Sequence, residues 1–170
     1  MLSYPQHTVG VIVVDHGSKK AAANELLREV VALFKRVSGG AIAEPAHMEL
    51  AAPTIGEAFD RCVAQGATLV VVHPYFLSPG RHSTADIPRM TAEAAARHPG
   101  VRFHVTQPLG LDEKIAALMV QRIGHCLEHG LVCDDCRGRE GCAEETPNRQ
   151  VQRGVNPAAD AGCKPPSFRV

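Results

Sequence analysis

The sequence has no excess of charge, no long apolar run and no secretory signal. Its 18 basic side chains balance its 18 acidic ones, which excludes a global field that would attract nucleic acid or an anionic membrane. The apolar runs at 9–14 and 69–72 are far too short to span a bilayer. The N-terminus lacks a basic start, an apolar middle and a small-residue cleavage site. We therefore expect a cytoplasmic protein, or one of the chloroplast stroma if a transit peptide has been removed.

The chain has no internal repeat, and its 170 residues suffice for one domain with a substantial core. Short apolar runs alternate with amphipathic stretches up to about residue 125, which predicts a βαβαβαβα order. This α/β order favours a four-stranded parallel sheet with helices on both faces. The predicted strands are 9–14, 42–50, 67–73 and 101–106. The predicted helices carry apolar stripes in 26–37, 55–63, 84–97 and 115–123.

Beyond residue 125 this pattern ends. Residues 126–142 are rich in cysteine, glycine and aspartate, and residues 143–170 have almost no apolar periodicity. We predict a catalytic domain at 1–125, a cysteine-rich binding segment at 126–142 and a disordered or loosely attached tail at 143–170.

Polar side chains lie at the ends of three predicted strands. His16 follows the first strand, Glu49 closes the second, and His82 lies in the loop after the third. Ligands of open parallel sheets bind beyond the carboxyl ends of the strands. Each residue alone also fits an ordinary loop histidine or a solvated carboxylate. Two histidines at neighbouring strand ends raise the weight of a shared metal or substrate site.

Three segments resemble the motifs of the sirohydrochlorin ferrochelatase and small cobaltochelatase family. They are Val-Asp-His-Gly-Ser at 14–18, Met-Glu-Leu-Ala-Ala-Pro-Thr-Ile at 48–55, and His-Pro-Tyr-Phe-Leu-Ser-Pro-Gly-Arg-His-Ser-Thr-Ala-Asp-Ile-Pro at 73–88. The resemblance covers about residues 9–125. It implies that His16 and His82 handle the metal and accept protons, assisted by Glu49.

The residue types suit that chemistry. Insertion of a divalent metal into a tetrapyrrole releases two pyrrole protons, and imidazole can both ligate ferrous or cobaltous ion and accept a proton. The resemblance favours ferrous iron over cobalt as the inserted metal. It does not decide between the siroheme and cobalamin pathways. The predicted substrate-binding residues are Ser18, Arg81 and Ser83. Lys19, Lys20 and Arg89 are further candidates to meet the substrate's carboxylates, although each also fits a solvated surface charge.

Four of the six cysteines form a cluster: Cys126, Cys133, Cys136 and Cys142. Four thiolates suit either tetrahedral zinc or an iron–sulfur cluster, and spacing does not decide between them. The family resemblance, through plant-like members with a C-terminal cysteine motif, favours the iron–sulfur cluster. Cys163 is left out of this set, and Cys62 fits a buried thiol in a helix.

Two other functions fit parts of the sequence, and one expectation concerns assembly. A metal-dependent hydrolase would need more carboxylate ligands than Glu49 and Asp15. A metal carrier or an iron–sulfur electron-transfer or redox-sensing protein has no need of His16 and His82 at the strand ends. As an extension, one four-stranded unit encloses a large macrocycle poorly, so we expect a homodimer around a tetrapyrrole substrate, with no nucleic acid or membrane partner.

Overall fold

The computed structural model describes Leu2 and residues 4–128, and the chain divides into two compact units between Asp112 and Glu113. The first unit holds four strands and three helices, and the described part of the second is one helix. The strands are β1 (Val9–Asp15), β2 (Ile42–His47), β3 (Leu69–Pro74) and β4 (Arg102–Val105). The helices are α1 (Ala21–Val37), α2 (Ile55–Ala64), α3 (Ile87–Ala95) and α4 (Glu113–Glu128).

The predicted parallel sheet is confirmed. Its strand order is β2-β1-β3-β4, and every neighbouring pair is parallel. The chain therefore moves outward from β1 to β2 on one side, then crosses back to β3 on the other side of β1. The carboxyl ends of β1 and β3 thus border the point where the direction of winding reverses, which is where open α/β sheets bind ligands.

Alternate residues of β1 face two different apolar clusters. Val11 and Val13 pack with Leu27 and Val31 of α1, whereas the intervening β1 residues pack in the cluster that contains Phe59 of α2 and residues of α3. Because both faces of β1 are covered, its sequence is a nearly continuous apolar run. The prediction of helices on both faces is confirmed by α1 on one face and by α2 and α3 on the other.

The predicted end of β2 and the predicted start of α3 are wrong by a few residues. β2 ends at His47 rather than at Leu50, because Leu50 has a φ of +67° and the chain bends away from the sheet. The third helical region begins with a π-helical turn, His82–Asp86, and its α-helical part starts only at Ile87. Pro88 is accommodated in the first turn of α3, where a backbone N–H is not needed for the helix.

The starts of α1 and α2 differ in their capping. Thr54 and Glu57 form a reciprocal capping box at α2, as the Thr54 start implies. The residue before α1 is Lys20, and no side chain caps that end. The Lys20 backbone N–H donates to the Ser18 hydroxyl oxygen.

The helix α4 runs through Cys126 to Glu128, so Cys126 lies on the helix rather than in a loop after it. Its side chain is half-buried and forms no disulfide with another described cysteine. None of the helices in the described part of the chain is both long enough and apolar enough to cross a membrane. Cys133, Cys136, Cys142 and the predicted tail lie outside the described residues.

Candidate active site

The fold brings His16, Glu49 and His82 together at the carboxyl edge of the sheet. His16 Nε2 lies 3.0 Å from Glu49 Oε1. The rings of His16 and His82 meet edge to face, with their centroids 5.4 Å apart and their planes at 73°. Both imidazoles are about half exposed, with side-chain exposures of 43% and 51%. Three residues from different parts of the sequence therefore form one accessible cluster.

Backbone hydrogen bonds fix the loop that carries His16 against the loop that carries Glu49. The Glu49 N–H donates to the His16 carbonyl at 3.1 Å, and the Met48 N–H donates to the Asp15 carbonyl at 2.9 Å. These bonds continue the β1–β2 ladder past the point where the strands end. The His16–Glu49 side-chain pair is therefore held by the main chain on both sides.

Gly17 is required by this close approach. It has a φ of +86°, and a Cβ there would overlap the Glu49 carbonyl oxygen. Only glycine combines that backbone conformation with the missing side chain. The group next to Gly17 is the backbone of the loop that carries Glu49.

A buried pair behind the cluster was missed in the sequence. His47 is fully buried, and its Nδ1 donates to Asp15 Oδ1 at 2.6 Å. The same Asp15 oxygen accepts the Gly17 N–H at 2.9 Å. Asp15 and His47 face each other in the β1–β2 register, so the signal that could have revealed them was the alignment of two strand ends. Asp15 thus stabilises the turn at His16 and is not a spare metal ligand.

The loop after β3 holds His82 through its own turn. The Ser83 hydroxyl both donates to the Gly80 carbonyl and accepts the Gly80 N–H, each at 3.0 Å. The Thr84 hydroxyl donates to the same carbonyl at 2.9 Å. On the other side of the turn, His82 Nδ1 donates to Asp86 Oδ2 at 2.9 Å. The hydroxyls of this motif are therefore engaged in the turn, and Asp86 is the second acidic neighbour that the sequence reasoning missed.

The predicted substrate-binding residues differ in their exposure and in how far their polar groups are already hydrogen-bonded. Arg81 is exposed next to His82, and Ser83 is buried with its hydroxyl engaged by Gly80. Ser18 is held by Asn24 through a reciprocal pair of hydrogen bonds. Lys19 and Lys20 are exposed just beyond it, and Arg89 pairs with Glu93 at 2.6 Å on an exposed face of α3.

His73 lies outside the cluster. Its Nδ1 lies 2.7 Å from the Thr106 hydroxyl oxygen. Burial lowers the pKa of His73 below its ordinary value, which favours a neutral ring.

The described residues contain no group of three or more histidine, cysteine, aspartate or glutamate side chains arranged to hold a metal ion. Within the described residues, His16 and His82 therefore do not belong to a closed coordination sphere, and an arriving cation would meet two adjacent, half-exposed imidazoles. Transient handling of a metal suits such an arrangement better than permanent storage.

A cavity of about 470 Å³ lies elsewhere, over the sheet surface formed by β1, β3 and β4. Its lining is mainly apolar and includes Val9, Val11, Leu69 and Val71. It shares no residue with the His16, Glu49 and His82 cluster. The candidate site is thus an exposed strand-end surface rather than this cavity.

Residues 10–126 match the family described as CbiX. The chain belongs to the CbiX family. It is 47% identical over 137 residues to the chloroplastic sirohydrochlorin ferrochelatase of Arabidopsis thaliana, covering 78% of this chain and 61% of that protein. It is 30% identical to the sirohydrochlorin cobaltochelatase of Methanosarcina barkeri, covering 70% of this chain and 97% of that protein.

Solved structures agree with the fold. SirB from Bacillus subtilis with Fe3+ superimposes with a TM-score of 0.65 at 30% identity, covering 69% of this chain and 47% of that one. A cobalamin biosynthesis CbiX protein from Marinobacter aquaeolei superimposes with a TM-score of 0.61 at 28% identity, covering 71% of this chain and 98% of that one. The chain thus spans between about two fifths and three fifths of several relatives, and nearly all of the shorter ones.

Proposed function

We propose that this protein is a sirohydrochlorin ferrochelatase, a lyase-class enzyme that inserts ferrous iron into sirohydrochlorin to give siroheme. The observation that carries the proposal is the pair of exposed imidazoles, His16 and His82, in contact at the strand-end edge. Membership of the CbiX family supports it, and the 47% identical relative named a ferrochelatase favours iron over cobalt.

The two imidazoles have different hydrogen-bonding states. An ionised carboxylate only accepts hydrogen bonds, so Glu49 accepts one from the His16 Nε2–H, and Asp86 accepts one from the His82 Nδ1–H. A neutral His82 therefore keeps its lone pair on Nε2. This lone pair can bind the incoming ferrous ion, and imidazole suits that ion.

The His16–Glu49 pair provides the second part of the reaction. The macrocycle loses two pyrrole protons as the metal enters, and a base must be within hydrogen-bond reach of each proton that it removes. In the proposed mechanism the His16–Glu49 pair accepts those protons, first at the Glu49 carboxylate, which is 52% exposed. Exposed Arg81, Lys19 and Lys20 bind the substrate's carboxylates, with Ser18 and Ser83 shaping the two loops.

The test is anaerobic incubation of the full chain with sirohydrochlorin and ferrous iron, followed by visible absorption. We expect the spectrum of the metallated product at a rate well above that without protein, and a slower reaction with cobaltous ion. A metal carrier would bind iron without accelerating product formation, and that result would refute the enzyme assignment.

Single variants test the site. We expect His16→Ala and His82→Ala each to lose most of the insertion activity while keeping the wild-type circular dichroism spectrum, since both side chains lie outside the apolar clusters. His104→Ala is a matched control, because it removes an exposed histidine of β4 that has no place in the cluster. Near-normal turnover in both folded site variants would show that the chemistry lies elsewhere.

We further propose that Cys126, Cys133, Cys136 and Cys142 bind an iron–sulfur cluster, with zinc as the alternative. The four thiols suit either metal centre, and the resemblance to plant-type chelatases favours the iron–sulfur cluster. Cys126 is suited to be the first ligand because it lies near the carboxyl end of α4 and is only partly buried. The proposed organisation remains a chelatase domain at 1–125, a cluster segment at 126–142 and a tail at 143–170. The cytoplasm is the proposed compartment, or the chloroplast stroma, as the name of the Arabidopsis thaliana relative suggests.

We also propose a homodimer. Several relatives are about twice as long as the matched part of this chain, and a second copy would supply a second strand-end surface to enclose the macrocycle. Analytical ultracentrifugation under reducing conditions should give twice the mass of one chain. A monomer with full activity at the same concentration would exclude the dimer as the active form.

A further inference from the structure

His82 and Asp86 lie at the two ends of the π-helical turn that precedes α3. The Ile87 N–H donates to the His82 carbonyl and closes this wide turn, and Ile87 itself is fully buried. The turn is therefore anchored in the core at its carboxyl end. The anchor fixes Asp86, the residue before Ile87, in front of the His82 ring.

The contact between the two side chains has the geometry of a charge-assisted hydrogen bond. His82 Nδ1 and Asp86 Oδ2 are 2.9 Å apart, and Asp86 is the more buried partner, with a side-chain exposure of 27% against 51% for His82. The carboxylate fixes the ring orientation from the protein side. It leaves Nε2, the opposite ring nitrogen, as the atom that a ligand can reach.

His16 lacks this support. Its Nε2 is engaged by Glu49, and its Nδ1 lies 3.3 Å from the Gly17 carbonyl oxygen. Both ring nitrogens of His16 thus face protein oxygen atoms, whereas only one nitrogen of His82 does in the described residues. The two histidines are therefore not equivalent, because Glu49 engages His16 at Nε2, whereas Asp86 engages His82 at Nδ1 and leaves its Nε2 open.

We infer that Asp86 is a positioning residue that holds His82 in the Nδ1–H tautomer and so presents the Nε2 lone pair to the incoming metal. Imidazole ligands commonly donate their other N–H to a carboxylate, which fixes the tautomer and increases the basicity of the ligating nitrogen. The inference rests on the proposed function, since it takes His82 as the group that receives the metal. In Asp86→Ala the ring would rotate freely and equilibrate between its two tautomers.

Asp60 offers a matched control. It accepts a hydrogen bond from His98 Nε2 at 2.6 Å, so it forms the same type of pair, but on α2 and without contact to the cluster. Asp86→Asn is the conservative variant. Its amide oxygen can still accept a hydrogen bond from the Nδ1–H, while the negative charge is lost.

Two measurements on the full chain test the inference. Long-range proton–nitrogen correlation spectra of isotope-labelled histidine, recorded without metal at about pH 8 where imidazole is neutral, report the tautomer of each ring. We expect the Nδ1–H tautomer for His82 in the wild type and in Asp86→Asn, and its loss in Asp86→Ala. Steady-state kinetics then separate metal from macrocycle. We expect the KM for ferrous iron to rise roughly 10- to 100-fold in Asp86→Ala, with the KM for sirohydrochlorin unchanged, a smaller rise in Asp86→Asn and no change in Asp60→Ala.

The inference is overturned if His82 keeps its tautomer in Asp86→Ala, or if that variant inserts iron with the wild-type KM while His82→Ala is inactive. A wild-type protein that inserts no iron contradicts the proposed function and leaves the tautomer measurement valid, so the two failures can be distinguished.

Discussion

Gly17→Ala should damage the site severely, although it adds only one methyl group. Two separate costs apply at this position, since Gly17 has a φ of +86° and its missing Cβ would overlap the Glu49 carbonyl oxygen. A left-handed backbone conformation costs a non-glycine residue roughly 1–2 kcal/mol. The overlap involves main chain on both sides, so it cannot be relieved by rotating a side chain.

Relief of the overlap would separate the two loops. That movement stretches the hydrogen bonds from Glu49 N–H to the His16 carbonyl and from Met48 N–H to the Asp15 carbonyl, which are 3.1 and 2.9 Å long. Each such bond contributes about 0.5–1.5 kcal/mol. With the backbone cost, we expect the free energy of unfolding to fall by about 2–5 kcal/mol.

Gly39→Ala isolates the conformational part. Gly39 has a similar φ of +76°, but none of the described residues has an atom within 4 Å of the point that a Cβ would occupy there. Its substitution should cost only the backbone term, about 1–2 kcal/mol. Urea denaturation of both variants, followed by circular dichroism, gives the difference.

Activity provides the second readout. A displacement of about 1 Å in a catalytic group can reduce turnover about 100-fold, so we expect a loss of that order in Gly17→Ala and wild-type turnover in Gly39→Ala. Equal destabilisation in the two variants, or unchanged turnover in Gly17→Ala, would refute the claim that Gly17 is needed for the close approach of the two loops.

Two further predictions concern the cysteines. Burial raises the pKa of the Cys62 thiol to about 12. In the native protein Cys62 should therefore resist iodoacetamide at about pH 8, where an exposed thiol is partly ionised, and should react only after unfolding in urea. Rapid labelling of the native protein, detected by peptide mass spectrometry, would contradict its burial. Replacing Cys133 and Cys136 together with serine should abolish visible iron–sulfur absorbance but leave measurable iron insertion, because the proposed insertion site consists of His16, Glu49 and His82. Complete inactivity in a folded double variant would show that the iron–sulfur cluster is coupled to catalysis.

The strand pattern and the strand-end histidines were accessible to sequence reasoning because each depends on local signals. The apolar run of β1 predicts a strand covered on both faces, and the parallel order then places the residues after β1 and β3 at one edge. The contact between His16 and His82 follows from that topology. It required no knowledge of side-chain packing.

The acidic partners were not accessible in the same way. The Asp15–His47 pair depends on the β1–β2 register, which no local pattern determines. The His82–Asp86 pair depends on a π-helical turn that an apolar periodicity does not distinguish from an ordinary α-helix. The early end of β2 was also not predictable from a local pattern. Met48 and Glu49 still donate backbone hydrogen bonds to Asp15 and His16, although they lie beyond the end of the strand.

The separation of the site from the apolar clusters has an evolutionary consequence. His16, Glu49 and His82 all lie beyond the strands that carry them, and none belongs to either core cluster. Substitutions in these loops can therefore alter metal preference without a large loss of folding stability. Gly17 and the Asp15–His47 pair are the exceptions, because they link the site loops to the sheet. Amino-acid substitution during evolution should be slow at these three positions and faster in the exposed loop residues around them.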